Sequence, residues 1–272
     1  MYEVYGVIGY PVGHSLSPLM HNLAFRELML KAVYGAFEVK PKDLEVAIKG
    51  VKALNIKGLS VTVPHKEEVI KFLDEVEDKA LEIGAVNTIL NEEGKLKGFN
   101  TDWIGFLKAL EEEGIEVKNK KVVILGAGGA SKAVVYAVKM AQACEIEIFN
   151  RTYEKALELA QKFGIKAKPW EDLKEAFGDL IIQTTSVGLN SWESPVEEEV
   201  LTRFKVAFDL VYTPLKTKFL SLAEKVGCVA IDGLKMLLYQ GVEQLKIWTK
   251  KELPLNLINL IKETLYKEVS QR

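Results

Sequence analysis

KVVILGAGGAS, residues 121–131, is the segment that indicates the fold of this chain most clearly. Residues 121–125 are typical of a buried strand, a glycine-rich turn follows at once, and a helix pattern begins beyond it. In that context Gly126 permits a tight turn, Gly128 lets the backbone approach a pyrophosphate, and the N–H groups of the new helix face the anion. We therefore predict a dinucleotide site at this turn. The alternative is a glycine-rich turn with only a structural role.

The next strand ends in FNRT, residues 149–152, and this ending indicates which dinucleotide is bound. A protein specific for NAD is expected to place Asp or Glu near this point, against the ribose 2′-hydroxyl. Arg151 instead offers a charged fork that suits a phosphate, which favours NADP. Arg151 and Lys155 also flank the start of a helix capped by Thr152, where the macrodipole disfavours cations unless an anion is bound. The alternative is that both cations are simply solvated.

Strand and helix patterns alternate outward from this stretch in both directions, which indicates an α/β protein with a largely parallel sheet. Upstream, strands are predicted at 3–9, 33–39 and 59–63, helices from 17 to 30 and from 41, and a hairpin around 92–95. Downstream, buried strands are predicted at 145–149, 179–183 and 206–210, and two long helices from 234 onward. The polar stretch 111–120 separates the two patterns, and a chain of 272 residues favours two domains over one core.

Composition excludes several classes of protein. The chain has 36 Lys plus Arg against 38 Asp plus Glu, a net charge of −2, whereas a nucleic-acid binder needs a cationic excess. Hydrophobic residues make up 48% and charged residues 27%, so we expect a chain that is folded throughout. There is no targeting pattern or membrane span, and the only 2 cysteines, Cys144 and Cys228, are interpreted as core residues. We expect a cytoplasmic protein with neither a nucleic-acid nor a membrane partner.

Four short polar motifs in the first half of the chain are candidates for the chemistry, because a dinucleotide fold supplies little beyond binding. They are SLSP at 15–18, SVTVPHK at 60–66, GAVNT at 84–88 and NTD at 100–102. Several of their polar residues follow the carboxyl ends of predicted strands, where parallel sheets bind ligands. These side chains can therefore converge.

Three of these motifs also have a structural interpretation. Ser17 fits a helix N-cap, Ser15 fits a loop position, and Asp102 fits a cap at the start of a helix. Lys66 is predicted in the first turn of a helix, where the dipole and burial lower the pKa of a lysine, but it equally fits a surface lysine. A histidine such as His65 is more often structural when it has no partner. The 3 histidines offer no metal-site spacing, so no metal is predicted.

Taken in order, SLSP, SVTVPHK, GAVNT, NTD, GAGGAS, NRT, TTSVG and DGLKMLLYQG resemble the shikimate dehydrogenase family across essentially the whole chain. The resemblance implies an N-terminal α/β substrate domain, 1–102 with 239–272, and a Rossmann-type NADP-binding domain, 103–238, with the active site in the cleft between them. It also implies reversible reduction of 3-dehydroshikimate to shikimate by NADPH, a step in aromatic amino-acid biosynthesis. The partner is then a small molecule, and the protein is a monomer or a homodimer.

The resemblance further implies a role for each site residue. Lys66 and Asp102 resemble the family's catalytic pair. By this resemblance Ser15, Ser17 and Tyr212 bind the substrate carboxylate, and Thr62, Asn87 and Gln240 bind the ring hydroxyls. The cofactor is assigned to Asp78, Gly126, Ala127, Gly128, Gly129, Ala130, Asn150, Arg151, Thr152, Lys155, Leu210, Gly233 and Met236. Two residues depart from the family pattern, because Lys155 replaces a frequent arginine and Lys235 a frequent glycine.

Two other functions stay open at this point. A sister enzyme that oxidises quinate or shikimate with NAD is expected to carry an acidic residue near the end of the second nucleotide-domain strand, and Arg151 argues against it. A non-catalytic NADP-sensing module is expected to lack the pair Lys66 and Asp102, and both residues are present.

Overall fold

The computed structural model describes residues 2–271 as two compact units. The first unit comprises the residues up to Gly105 together with Leu238–Leu265, and the second comprises Phe106–Leu237 together with the residues from Tyr266 onward. Each unit contains a six-stranded sheet with helices. The predicted α/β class is therefore confirmed.

The first unit combines parallel and antiparallel strand pairs. Its elements are β1 (Glu3–Gly9), α1 (Ser17–Glu27), β2 (Ala32–Glu38), α2 (Leu44–Ala53), β3 (Gly58–Val61), β4 (Glu75–Val76), α3 (Asp78–Ile83), β5 (Thr88–Glu92) and β6 (Lys95–Phe99), with 3₁₀ helices at Pro41–Asp43 and Glu68–Phe72. The strand order is β2-β1-β3-β5-β6-β4. β1 pairs in parallel with β2 and β3, whereas β5 pairs antiparallel with β3 and β6. The hairpin predicted around 92–95 is therefore confirmed.

The second unit is a fully parallel, doubly wound sheet. Its elements are β7 (Lys121–Leu125), α5 (Gly129–Met140), β8 (Glu145–Phe149), α6 (Tyr153–Phe163), β9 (Lys166–Lys168), β10 (Leu180–Gln183), α7 (Glu198–Leu201), β11 (Val206–Asp209), α8 (Lys218–Lys225) and β12 (Val229–Ile231), with a 3₁₀ helix at Trp170–Glu175. The order β12-β11-β10-β7-β8-β9 is that of dinucleotide-binding domains. Because the order reverses between β7 and β10, ligands are expected at the carboxyl ends of these two strands.

Three helices contain the residues where the chain passes between the units: α4 (Asp102–Glu112), α9 (Gly233–Thr249) and α10 (Leu255–Ser270). Within the first unit α9 lies close to α1, because a Cβ on Gly241 would come within 2.8 Å of Met20 Sδ. Trp248, one residue before the end of α9, donates from Nε1 to the carbonyl oxygen of Ile89 at 3.0 Å. These contacts hold α9 against the sheet of the first unit.

Burial explains why the strand sequences look as they do. Residues 122–125 of β7 are all inaccessible to solvent, since β7 is central in its sheet and covered on both faces. A central parallel strand therefore shows a continuous apolar run rather than an alternating one.

Cys228 is buried as predicted, but Cys144 is exposed, so its interpretation as a core residue was wrong. Among the described residues, no helix has the length and apolar character that crossing a membrane requires.

Candidate active site

Lys66 and Asp102 form a buried ion pair in the first unit. Lys66 lies in the turn after β3, and Asp102 is the first residue of α4. Lys66 Nζ donates to Asp102 Oδ2 over 2.7 Å, and the two side chains are only 15% and 6% exposed. Low exposure strengthens the attraction between the charges and holds the two groups in one geometry. An ammonium and a carboxylate so placed can donate to and accept from one ligand hydroxyl.

Asn87 joins this ion pair to further polar side chains. It lies directly before β5, it is buried, and its Nδ2 donates to Asp102 Oδ1 over 2.8 Å. The same nitrogen lies 3.2 Å from Gln240 Oε1 and 2.9 Å from Thr101 Oγ1. The structure thus brings together four predicted site residues, Lys66, Asp102, Asn87 and Gln240. Sequence reasoning missed Thr101, although its place inside the NTD motif was an available signal.

Ser15, Ser17 and Thr62 belong to the same unit. Ser15 Oγ accepts from the backbone N–H of Ser17 at 3.2 Å, and the buried Ser17 side chain hydrogen bonds the hydroxyl of Tyr34. The interpretation of Ser17 as the N-cap of α1 was wrong, because Leu16 occupies the cap position and the helix begins at Ser17. Thr62 is half-buried and follows β3 directly. The roles of these three residues in substrate binding stay predictions.

The segment around Lys66 differs from its prediction as the first turn of a helix. The backbone N–H of His65 donates to the Thr62 carbonyl at 2.9 Å, which closes a turn, and the 3₁₀ helix begins only at Glu68. Lys66 therefore does not lie in the first turn of a helix, and its surroundings are set by Asp102 instead. His65 is 1% exposed, and its Nε2 bonds the Val39 carbonyl over 2.7 Å, so the structural interpretation of this histidine is confirmed.

The glycine turn lies where the second sheet reverses its strand order. Gly126 follows β7 with a φ of +108°, and a Cβ there would lie 2.6 Å from Thr184 Oγ1 and 2.9 Å from Thr185 Cγ2. Only glycine fits this conformation and this space. Gly128 is exposed and has open space around it, and α5 begins at Gly129. The N–H groups of Gly126 and Gly128 are used inside the fold, by the Phe149 carbonyl and by Ser131 Oγ. Those of Ala127, Gly129 and Ala130, at the start of α5, are left to face an anion, as a pyrophosphate site requires.

Ser131 and Thr184 stabilise this turn through side-chain hydrogen bonds. The Gly128 N–H donates to Ser131 Oγ at 3.1 Å, Ser131 Oγ lies 2.6 Å from Thr184 Oγ1, and Thr184 Oγ1 donates to the Leu125 carbonyl at 2.6 Å. Since the Thr184 proton faces Leu125, Ser131 is the donor to Thr184. Ser131, which stands where glycine or alanine is usual, thus joins the turn to the end of β10. Thr184 was missed because the TTSVG motif carries no role that the sequence alone reveals.

The residues predicted to select NADP lie at the end of β8. Arg151 and Lys155 are exposed, and Asn150 Nδ2 donates to the Thr152 carbonyl at 2.7 Å. Thr152 occupies the cap position of α6 as predicted, but its side chain makes no capping hydrogen bond. Two cations beside a helix start create a positive environment that an anionic ligand would relieve. Their contact with a 2′-phosphate stays a prediction.

The remaining predicted residues are spread over both units. Leu210 and Tyr212 follow β11, Gly233 begins α9, and Met236 is buried in α9, all in the second unit. Asp78 is exposed at the start of α3 in the first unit. Their predicted roles are not tested by these positions and stay predictions.

A buried carboxylate lies beside the segment after β11. Asp209 accepts from Thr217 Oγ1 at 2.7 Å and from the Val211 N–H at 3.0 Å. Burial raises the pKa of Asp209 to about 7, and the nearby charge of Asp232 acts in the same direction. Sequence reasoning missed this group, because only the fold shows that it is excluded from water.

Within residues 2–271, no group of three or more His, Cys, Asp or Glu side chains could hold a metal ion.

A glycine turn at the reversal of a doubly wound sheet, together with a buried lysine–carboxylate pair, defines a dinucleotide-dependent α/β oxidoreductase. Family models match most of the chain: a shikimate dehydrogenase substrate binding domain over residues 7–89, a shikimate/quinate 5-dehydrogenase over 108–208, and a shikimate 5′-dehydrogenase C-terminal domain over 233–259. The chain is also 51% identical to the shikimate dehydrogenase (NADP(+)) of Thermococcus kodakarensis, over 91% of each chain. It belongs to the shikimate dehydrogenase family.

Solved structures of the family resemble both units. The shikimate 5-dehydrogenase of Thermus thermophilus, in complex with NADP(H) and shikimate, is 39% identical and has a TM-score of 0.88, covering 97% of this chain and 99% of that one. A shikimate dehydrogenase in complex with NADP+ is 44% identical and has a TM-score of 0.90, covering 98% of this chain and 96% of that one. The family fold therefore extends over the whole chain.

Proposed function

We propose that this chain is an NADP-dependent shikimate dehydrogenase, which reduces 3-dehydroshikimate to shikimate reversibly with Lys66 and Asp102 as its acid–base pair. The observation that carries the proposal is the buried 2.7 Å contact between Lys66 Nζ and Asp102 Oδ2. It occurs in a chain whose curated relatives are named shikimate dehydrogenase (NADP(+)).

The residues of the glycine turn fit the cofactor. Gly126 is required by its backbone conformation, Gly128 leaves room for a close approach, and α5 presents its N-terminus. We assign the pyrophosphate to residues 126–130 and the 2′-phosphate to Asn150, Arg151, Thr152 and Lys155. The roles of Asp78, Leu210, Gly233 and Met236 beside the cofactor are proposed from the resemblance alone. When bound, NADPH supplies the hydride for the reduction.

Lys66 carries the acid step of the proposed reaction. Reduction of a ring ketone builds negative charge on its oxygen, so a preorganised donor at that oxygen lowers the barrier. The Lys66 ammonium stabilises this charge and delivers the proton, and in the oxidation direction the amine accepts it. Asp102 fixes the ammonium through Oδ2 and accepts from the same substrate hydroxyl. Asn87, which donates to Oδ1, keeps the carboxylate in place.

Substrate recognition is assigned to polar groups of the first unit. Ser15 and Ser17 bind the carboxylate, while Thr62, Asn87 and Gln240 bind the ring hydroxyls. A buried site with several such groups leaves them unpaired when an analogue lacks a hydroxyl, and this discrimination can reach roughly 10⁴-fold. Tyr212 is proposed, from the resemblance, as a further ligand of the carboxylate.

We further infer that the protein works in the cytoplasm as a monomer or homodimer. Both cysteines are free thiols, which suits a reducing compartment. The proposed catalytic groups, Lys66 and Asp102, come from one chain, so the proposed acid–base chemistry needs no second subunit.

The proposal is tested by the absorbance of the reduced nicotinamide with shikimate or quinate, each paired with NADP or NAD. The expected result is that shikimate with NADP gives the highest kcat/KM of the four pairs. A higher value with NAD or with quinate would favour the sister enzyme. Tight NADP binding without any oxidation would favour a cofactor-sensing protein.

A further inference from the structure

A buried chain of hydrogen bonds lies behind the Lys66–Asp102 pair and leads to Gln244 on α9. Gln244 is 1% exposed and lies one helical turn after Gln240. No motif in the sequence marked it. Its side chain has a partner at each of the four hydrogen-bonding positions that an amide offers.

Two donors surround the carbonyl oxygen of this amide. Ser60 Oγ donates to Gln244 Oε1 over 2.7 Å and itself accepts from the Tyr34 hydroxyl over 2.6 Å. His21 Nε2 lies 3.2 Å from the same oxygen. Burial lowers the pKa of His21 to about 3, so the ring is neutral, and its Nδ1 has no partner among the described residues. The single ring proton therefore belongs on Nε2, where it faces Gln244.

Because its oxygen is held by these donors, the amide nitrogen of Gln244 must point the other way. Gln244 Nε2 donates to the Asn87 carbonyl at 3.1 Å and to Thr88 Oγ1 at 3.0 Å. Thr88 Oγ1 thus receives a proton from one side and gives its own to Asn87 Oδ1, which lies 2.8 Å away.

The orientation of the Asn87 amide follows from this. Its Oδ1 accepts from Thr88 Oγ1 and from the Thr101 N–H, which lies at 2.8 Å. Its Nδ2 is therefore the atom that faces Asp102 Oδ1. A flipped Asn87 would set its oxygen against the carboxylate and lose both donors. Gln244, through Thr88, and the Thr101 N–H thus act together to set the direction of the bonds that lead to Asp102.

We propose that Gln244, acting through Thr88, is a positioning residue that holds the Asn87 amide in the orientation required by the Asp102 carboxylate. The inference rests on the proposed function. Gln244 does not itself touch Lys66 or Asp102 in the contacts described above, so it acts through other residues and is not catalytic.

The test uses the full-length protein with Gln244→Glu, Thr88→Val and Thr88→Ser. Gln244→Glu keeps the acceptor for Ser60 and His21 but removes the donor to Thr88. Thr88→Val keeps the shape and removes the hydroxyl, whereas Thr88→Ser restores the hydroxyl and serves as the matched control. The measurements are kcat and KM for shikimate against pH, the Kd for NADP and the melting temperature.

We expect kcat to fall roughly 10- to 100-fold in Gln244→Glu and Thr88→Val, as for other small misplacements of reacting groups. The Kd for NADP should stay unchanged, and Thr88→Ser should stay close to wild type. The pH profile of kcat/KM should change as well, because Asp102 loses one of its two hydrogen-bond donors beside the reacting group.

An unchanged kcat and pH profile in Thr88→Val, with only a lower melting temperature, would overturn the proposal, because the network would then be merely structural. Should Gln244→Glu fail to fold, the comparison of Thr88→Val with Thr88→Ser still decides the matter. The wild type distinguishes the two levels of inference. A wild type that does not oxidise shikimate overturns the proposed function, whereas active variants of an active wild type overturn only the role of Gln244.

Discussion

The carboxylate of Asp102 is shared between two donors, with Oδ2 facing Lys66 Nζ at 2.7 Å and Oδ1 facing Asn87 Nδ2 at 2.8 Å. One donor carries a full charge and the other is a neutral amide. Asn87 can therefore hold the carboxylate in place while Lys66 exchanges a proton with a ligand.

Replacing Lys66 by methionine should strongly reduce turnover and spare NADP binding. The variant loses the group that stabilises charge on the reacting oxygen, and such a loss typically costs about 10²–10³ in kcat. The glycine turn belongs to other residues and is unchanged, so the Kd for NADP should stay near that of the wild type. Stopped-assay rates and fluorescence titration with NADPH measure the two quantities.

Lys71→Met is the matched control, because Lys71 lies five residues further on and its side chain is 67% exposed in a pair with Glu68. It should retain full activity. The melting temperature of Lys66→Met must be followed as well, since removing one partner of a buried pair leaves the other charge uncompensated. An equal loss of turnover and of NADP affinity would mean that Lys66 is structural.

Replacing Arg151 by alanine should reduce the preference for NADP over NAD. A hydrogen bond to a charged group contributes about 1.5–3 kcal/mol, which corresponds to roughly 10- to 100-fold in affinity. We expect the KM for NADP to rise by that factor, while the KM for NAD stays constant because NAD lacks the 2′-phosphate. Initial rates with each nucleotide at saturating shikimate give both values.

Arg203→Ala serves as the control for this experiment. Arg203 is in the same unit and pairs with Glu175 and Glu199 at 4.0 Å and 3.7 Å. Its loss should leave both KM values unchanged. If Arg151→Ala raises the two KM values equally, the arginine supports the fold of the turn and does not read the phosphate.

Much of the fold could be predicted because burial and turn formation leave a pattern in the residues of the segment itself. The apolar run 121–125 is continuous because β7 is covered on both faces, and the turn at 92–95 joins two antiparallel strands. Helix starts were less predictable. A turn that ends at His65 moves the next helix to Glu68, and Leu16 takes the cap position expected for Ser17.

The candidate site was predictable where a short motif carries the chemistry and unpredictable where the role depends on tertiary contacts. Lys66 and Asp102 each belong to a motif, and both follow the ends of strands. Gln244 and Thr184 acquire their roles only from hydrogen bonds to residues far away in the chain, such as Asn87 and Leu125. No local pattern encodes such partners.

Alanine substitutions at two glycines of the nucleotide turn should separate an effect on stability from an effect on NADP binding. Gly126→Ala places a Cβ 2.6 Å from Thr184 Oγ1 in a backbone with φ of +108°, which should cost about 1–3 kcal/mol of stability. Gly128→Ala meets no atom within 4 Å, so the protein should melt as the wild type does. Its new methyl group nevertheless occupies the space that a pyrophosphate needs, so NADP affinity should fall. Thermal melts and NADPH titrations of both variants provide the check, and a stable Gly126→Ala would contradict the assignment.

The buried Asp209 should make the stability of the protein depend on pH. Its pKa is raised from an ordinary 3.8 to about 7, mainly by burial. Between these two values the folded protein keeps a proton that the unfolded chain releases, so stability must fall as the pH rises through this window. The full effect is on the order of 4 kcal/mol. Asp209→Asn cannot ionise, so the variant should gain stability relative to the wild type from pH 5 to pH 8, with most of the gain at the upper end.

Asp179→Asn, in the same unit, is the control with the opposite sign. A hydrogen bond from Lys205 lowers the pKa of Asp179 below its ordinary 3.8, so its stabilising effect is present throughout pH 5 to pH 8 and is lost only at lower pH. Asp179→Asn should therefore lose a constant amount of stability over this range. His21 also works against Asp209, because burial lowers its pKa to about 3 and acid therefore destabilises the protein through it. For this reason the quantity to compare is the difference in melting temperature between each variant and the wild type at each pH. The melting temperature of Asp209→Asn relative to the wild type could also prove constant between pH 5 and pH 8. This result would show that Asp209 is already ionised throughout the range. Water or Thr217 would then stabilise its charge more than burial opposes it.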